Sequence, residues 1–467
     1  MPVPSTTRRR ERWTLVATIL GSSLAFIDST VVNVAIPRLG QELHAGAAGA
    51  QWTIGAYLLP LAAFVLVGGA LGDRYGHRRT FVIGVSVFAA ASLACGAAQS
   101  MAQLLVSRGV QGAAAALFVP ASLALIGVTF HGAARGKAIG TWSAFGSVSS
   151  ATGPLVGGWL VDRWSWRLAF FVGVPVAIAT VLIALRHVAV SERRENKHVD
   201  LAGALAAMVS LGSLTAALTL TDRPWPVLGA LVALGAAALV AFIFAERRAP
   251  DPMMPLDVWQ SRLFTSINAL TFVVYAALSI FMFALPIRLM VGGGFSATAA
   301  AAALLPSVAE IFVFSRWSGA WASRIGPRVP LLLGAALIAA GFAILGVNTV
   351  HGSGNDYWRH FLPGLIVLGL GLSLTVSPLT TAVMAALDDA RAGLASGINN
   401  AVARTAGLAG VSVVGLIAGA HTQAQLASAF PRIMFAACGL AAAGAAVAAL
   451  FVSGVAGSTP GTRRAPC

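Results

Sequence analysis

Fourteen long apolar runs alternate with short polar segments along this chain. They lie near 13–36, 51–72, 80–99, 103–128, 138–161, 168–187, 201–221, 226–245, 263–290, 297–318, 329–348, 360–382, 394–419 and 431–453. The hydrocarbon core of a bilayer takes about 20 apolar residues of helix, so each run has the length of one crossing and the pattern predicts fourteen transmembrane helices. Two polar breaks interrupt the rhythm, one a charged stretch at 191–200 and the other, at 246–262, holding Pro250, Pro252 and Pro255. They divide the chain into 1–190 with six runs, 191–262 with two, and 263–467 with six. A composition of 57% hydrophobic and 10% charged residues excludes a water-soluble protein with one core. The predicted class is an all-α, polytopic membrane protein.

Charge changes the picture by giving the spans a direction. With fourteen crossings both termini share a side, and the loops on that side hold about twenty-one Lys and Arg against roughly seven on the other. The positive-inside rule makes the richer side cytoplasmic. The net charge of +15 is therefore spread over short loops, unlike the concentrated basic face of a nucleic-acid binder. Trp52, Trp164, Trp225 and Trp358 fall at span ends, where indoles anchor a helix in the headgroup layer. The basic N-terminal stretch precedes an apolar run too long for a cleaved export signal, and it reads as an uncleaved first span. Cys95, Cys438 and Cys467 have no metal or disulfide spacing.

The segment from Gly69 to Arg79 stands out: between two spans it packs glycines, Asp73, Arg74, Gly76, His77, Arg78 and Arg79. A degraded copy follows about 250 residues later, with Gly319, Arg324, Gly326 and Arg328 in the same spacing and Ser323 where the acid would be. The chain is an internal duplication. The paired loops resemble the signature that follows the second helix of each half in the major facilitator superfamily of secondary transporters. In that fold the resemblance places Asp73 against the start of the thirteenth span near Gly393, as a latch on the cytoplasmic face, and lets Arg74 pair with an acid from another loop.

Further stretches resemble that superfamily's fourteen-span drug:proton antiporters. Phe26 to Pro37 is similar to the element ending their first span, Leu105 to Gly112 to one in the fourth, and Arg391 to Asn400 to one in the thirteenth. In the fifth span Gly140, Ser149, Gly153, Pro154, Gly157 and Gly158 resemble the antiporter signature of exporters, which has Gly where Ser149 stands. Small residues spaced by four let helices approach closely, and Pro154 deletes a backbone donor. The resemblance implies two pseudo-symmetric six-helix bundles with two inserted helices between them, a central cavity, and alternating access by rocking. It departs at Ser149, Ser323, His77 and Glu310.

Ionisable groups inside the spans are functional candidates by default because of their cost. They are Asp28, Arg108, Glu310, Arg316 and Arg404. At ~1.5 Å rise per residue, Asp28 lies about 4 to 5 Å outside the midplane of the first span and Arg108 roughly 10 Å outside that of the fourth. A long arginine reaches across that difference. An acid beside a movable arginine alternates between holding and releasing a proton, a role that the resemblance also implies for Asp28 and Arg108; a static pair fixing register is the alternative. Glu310 and Arg404 both lie near midplane depth and form a second candidate pair, although nothing in the sequence brings their faces together; Glu310 contacting a cationic substrate, or hydrogen-bonding as a neutral acid, is the alternative. Arg316 lies nearer the cytoplasmic end and is expected to snorkel.

No Gly-rich phosphate cradle ending in Lys-Ser or Lys-Thr is present, so the energy is expected to come from an ion gradient or from the substrate's own, with no cofactor and no metal. The function expected is proton-coupled export of small amphipathic drugs or antibiotics across the cell membrane by a monomer. A dedicated exporter of one natural product and an ion-independent facilitator or importer are alternatives. A membrane-embedded enzyme or sensor is disfavoured, since no acid pair or His cluster has catalytic spacing. Candidate cavity residues are Asn33, Gln111, Phe272, Tyr275, Phe281, Met282 and Asn400, the last on one helical stripe with Ser396 and Arg404.

Overall fold

A computed structural model describes residues 5–190, 200–250, 252–350, 356–388 and 391–452. Its helices are α1 (Ser5–Glu42), α2 (Ala47–Tyr75), α3 (His77–Ala97), α4 (Met101–Thr129), α5 (Gly132–Arg163), α6 (Leu168–Phe171), α7 (Gly173–His187), α8 (Leu201–Thr219), α9 (Trp225–Arg248), α10 (Arg262–Ile287), α11 (Ala297–Ala302), α12 (Leu305–Ile325), α13 (Arg328–Val350), α14 (Tyr357–His360), α15 (Leu362–Ala385), α16 (Ala392–Ala418), α17 (Gln423–Ser428) and α18 (Phe430–Phe451). Hydroxyl and acid side chains start several of them, Ser100 accepting from the Gln103 amide and Asp200 from that of Gly203, which satisfies amides left free in a first turn.

Among the described residues, thirteen helices are long and apolar enough to cross a membrane. α6 and α7 count together as one of them, and α11 with most of α12 as another. The predicted run outside that number is the fifth. α5 is 32 residues long, ample for a crossing, but it is built from so many Gly and Ser residues that its hydropathy stays low. The residues that let it pack closely are those that weaken its apolar signal.

Helices α1 to α7 pack chiefly among themselves, with α2 and α3 against α4, and α1 against α5 and α7. The later helices repeat the scheme, α13 packing on α15 and α18, α10 on α16 and α18, and α12 on α15. The two groups meet through α2 with α16 and α5 with α11, while α8 and α9 pair with each other and α8 alone leans on both α2 and α16. The duplication read in the loops is present in detail. Gly76 (φ 93°) and Gly326 (φ 84°) both adopt a backbone that L side chains avoid. Arg78 then donates to the carbonyls of Ala184 and Leu185 at the end of α7, and Arg328 to that of Ala449 at the end of α18. Each loop arginine closes the carbonyl end of the last helix of its own half.

One apolar core joins the two groups at the end of the molecule away from these loops, through Val31, Leu39 and Trp166 with Phe281, Val411 and Phe430, and continues down the second group to Leu331 and Val383 at its loop end. A second core, at the loop end, stays almost entirely within the first group. The molecule is thus sealed at one end and divided at the other.

Candidate functional site

The division holds a cavity of about 1080 Å³. Its wall runs from Val65, Val119, Trp142 and Asn400 at helix mid-depth to Asp73, His77, Arg10 and Arg135 at the loop end. α16 contributes one stripe, Gly393, Ser396, Gly397 and Asn400. Open space faces Gly69 and Gly393, where an added Cβ meets nothing within 4 Å, so the two sides of the expected Asp73 latch border the cavity mouth. Asp73 sits 3.5 Å from His77, one turn on, and the Arg74 guanidinium lies over the ring of its neighbour Tyr75. Arg391 pairs with Asp257 at 2.5 Å, tying the start of α16 to the linker after α9.

The opposite end is closed by polar contacts between the halves. Gln51 of α2 donates to the carbonyls of Val411 (2.7 Å) and Ser412 on α16, and Gln423 donates to that of Ile36. Asp162, at the end of α5, accepts from the amides of Ala297 (2.9 Å) and Thr298 (2.8 Å) and from the Thr298 hydroxyl. Burial works to raise the Asp162 carboxyl, but hydrogen bonds from Thr298, Ala297 and Ser296 outweigh it and hold the group below the usual carboxylate range. The seal they form is complete at neutral pH, and it weakens only as pH falls through that depressed value. Asp162→Asn is therefore expected to speed maleimide labelling of a cysteine placed at buried Val161 several-fold at pH 7; an unchanged rate would show that this contact is not part of the seal.

Between the seal and the cavity lies a buried charge network. The Arg108 guanidinium donates to Asp28 at 2.6 Å and to the Gln111 side-chain oxygen at 2.6 Å, and its Nε donates to the Thr53 carbonyl at 3.1 Å. Gln111 donates its amide to the other Asp28 oxygen at 2.8 Å and to Ser92 at 2.8 Å, and the Cys95 thiol lies against its carbonyl oxygen. Arg108 stacks over the Tyr57 ring, 4.4 Å from its centroid. Both charged side chains are almost fully buried. Both Asp28 oxygens and the Nε and Nη1 of Arg108 have partners, the condition under which a buried ion pair is tolerated.

Asp28 and Arg108, which helical rise places at reachable depths, are indeed brought together by α1 and α4. The Arg108–Gln111 and Ser92–Cys95 spacings, each of one turn, put these groups on facing ridges of α4 and α3. That spacing is visible in the sequence, although Gln111 reads there as a cavity residue. It lies inside the network instead, fully buried. Phe281 is likewise buried, its ring against Phe342, and Met282 packs on the same core. Neither Phe272 nor Tyr275 borders the cavity, nor does Asn33, whose amide points to the Ser29 carbonyl on its own helix. Asn400 does border it.

Glu310 and Arg404 are not brought together. The Glu310 carboxyl lies in the seam between α12 and α15, against Gly369, with Oε2 buried and without a hydrogen-bond partner. Arg404, on α16, sits within electrostatic range of Tyr57 and Tyr275. The side chains of Arg316 and Ser323 lie outside the described residues, as does Cys467.

The fifth-span motif packs as its spacing implies, with one exception. Ser149 donates to Ser23 at 2.8 Å, while a Cβ at Gly153 or Gly157 would strike Thr30 or Val31 on α1, and one at Gly158 the Ala297 carbonyl across the seal. Pro154 sits inside a continuous helix. Gly140 is the exception, since it faces open space.

Residues 18–256 match the sequence profile of the Major Facilitator Superfamily. The multidrug resistance protein Stp of Mycobacterium tuberculosis is 34% identical over 90% of this chain and 78% of its own length. The chain belongs to the major facilitator superfamily. Other members similar to it are the tetracenomycin C resistance and export protein of Streptomyces glaucescens, 32% identical over 89% of this chain and 77% of that protein, and the puromycin resistance protein pur8 of Streptomyces alboniger, 32% identical over 90% and 84%. Among solved structures, a peptide transporter crystallised with sulfate superposes with a TM-score of 0.69 at 15% identity, covering 94% of each chain. A bacterial homologue of the lysosomal transporter Spinster superposes at 0.65 and 17%, covering 95% and 97%. Membership makes this a multi-pass membrane transporter of the superfamily's helical fold.

Proposed function

We propose that this major facilitator exports amphipathic drugs or antibiotics from the cytoplasm in exchange for protons. The observation that carries the reading is the buried Asp28–Arg108–Gln111 network, which spans α1 and α4 on the sealed side of the cavity. Protonating Asp28 removes the counter-charge of Arg108 and frees the arginine to move; deprotonation draws it back. Tyr57 and the Thr53 carbonyl, both on α2, touch that arginine, and α2 is also the helix that meets α16 across the halves. A change in the pair therefore bears on the surface along which the halves rock.

In this reading α5 is a fourteenth crossing, 1–190 and 263–467 are six-helix bundles, and α8 with α9 is the inserted pair between them. Both termini and the charged loops face the cytoplasm, and the cavity opens there. Asp73, Arg74 and the helix start near Gly393 close that mouth when the molecule turns outward. The monomer carries the whole path, and the proton gradient is the energy source, without a cofactor. Relatives named for resistance to several drugs and for resistance to and export of tetracenomycin C support export and leave a single dedicated natural product as the second reading.

The reading is tested by expressing the chain in a bacterium stripped of its own efflux pumps. Resistance to a panel of amphipathic antibiotics should rise severalfold and disappear when an uncoupler collapses the proton gradient. Resistance that survives the uncoupler would contradict proton coupling, and unchanged sensitivity to all compounds but one would favour the dedicated exporter.

A further inference from the structure

The charges inside the membrane do not all pair. Asp28 and Arg108 neutralise each other at 2.6 Å, and Glu310 is turned into the α12–α15 seam. Arg404 is left over. It lies within about 2 Å of the midpoint of the Gly393–Ala418 crossing at ~1.5 Å per residue, and it is half-buried. Among the described residues no carboxylate reaches it and no hydrogen bond holds it.

Its position follows from the sequence. Ser396, Asn400 and Arg404 recur every four residues, so they share one face of α16, and Ser396 and Asn400 border the cavity. Arg404 is one turn deeper on that face, past the last α16 residue that lines the cavity and within electrostatic range of Tyr57 of the first half and Tyr275 of the second. A cation at this depth is costly without a counter-charge, and a guanidinium presents a planar set of donors matched to a carboxylate. The cavity mouth carries charges of both signs, Arg10 and Arg135 with Glu11 and Asp73, so selection by charge falls to the interior, where Arg404 continues the cavity-lining stripe of α16 while the unpartnered Glu310 lies away from it in the α12–α15 seam.

Resting on the export reading and sharpening it, we infer that the central cavity takes amphipathic compounds bearing an anionic group, a carboxylate or ionised phenol, which reaches one turn past Asn400 to Arg404 and serves as its counter-charge. The apolar wall from Val65 to Val119 receives the hydrocarbon body, and Asn400 hydrogen-bonds beside the anion.

Pyrenebutyrate, its neutral amide and the corresponding pyrenebutyl-trimethylammonium test this on the purified full chain, with energy transfer from tryptophan as the signal, since Trp142 lines the cavity. The acid is expected to bind about tenfold tighter than the amide, the scale of a charge-assisted contact, with the cation weakest. Arg404→Gln should erase the gap between acid and amide while leaving the amide's affinity in place, and Arg404→Lys should keep most of it. If Arg404→Gln does not give folded protein, Asn400→Asp, which sets a negative charge one turn away, should abolish the acid's advantage. An acid no tighter than its amide, a gap that survives these variants, or failure of all three probes to bind would overturn the inference. Proton-driven uptake of the same probes into vesicles separates the two readings: uptake of the cation but not the acid refutes the anion site alone, and preferential binding of the acid without proton-driven uptake refutes antiport alone.

Discussion

Asp28→Asn is expected to abolish concentrative transport while leaving substrate binding and passive exchange intact. Asparagine keeps the shape and one acceptor for the Gln111 amide, but it removes the only membrane-embedded acid paired with a cation among the described residues. A proton falling through about 150 to 200 mV delivers roughly 3.5 to 4.6 kcal/mol, which holds a neutral substrate at a gradient of several hundred to about two thousand fold. Proteoliposomes under an imposed proton gradient should show that accumulation for the wild type and essentially none for the variant. Exchange of labelled for unlabelled substrate at equal pH should persist in both. Equal accumulation by the two proteins would make the pair a structural fixture that only sets helix register.

The second large effect is expected at the α2–α4 contact. A Cβ at Gly112 would overlap the Tyr57 carbonyl, and one at Gly68 would overlap the Ala116 carbonyl. Both obstacles are backbone, which has no rotamer with which to yield. Gly112→Ala or Gly68→Ala should therefore destabilise the purified protein by about 1–3 kcal/mol, the usual cost of overpacking, seen as a lowered melting temperature in detergent. Gly112→Ala should also impair transport, because pushing α4 from α2 draws Arg108 off the Thr53 carbonyl and Tyr57. Gly69→Ala and Gly140→Ala meet open space and should melt with the wild type. Four variants that melt alike would show that α2 and α4 do not approach so closely.

Both effects bear on how the fold is written in the chain. Span positions are legible because hydrophobic length is the main constraint a bilayer imposes, and the signal weakens where another demand competes. α5 is such a place, since its Gly and Ser residues serve contact with α1 through Gly153 and Gly157 at the expense of hydropathy. The Asp28–Arg108 pair is legible in depth because helical rise converts residue number into depth, and a long arginine spans the difference that remains. Orientation about the helix axis is not legible in the same way. Glu310 and Arg404 share a depth but face different seams, which depends on how α12 and α16 are rotated against their neighbours. Gln111 and Phe281 leave the expected cavity wall for the same reason: a polar or aromatic residue in a span suits a cavity wall and a packed interior equally well, and only the neighbouring helices decide between them. The pairing of Arg78 with α7 and Arg328 with α18 shows the converse, where a duplicated loop carries a duplicated contact.

The central claim is exchange of substrate for protons, and the movement of protons itself tests it most directly. Proteoliposomes loaded with a pH-sensitive dye, with no initial pH or voltage gradient, would be given a compound to which the expressed chain confers resistance. Exchange predicts that an inward substrate gradient drives protons out, so the lumen turns alkaline with wild-type protein and stays constant with Asp28→Asn. Substrate entering wild-type vesicles while the luminal pH holds steady would contradict proton antiport and leave a facilitator in its place.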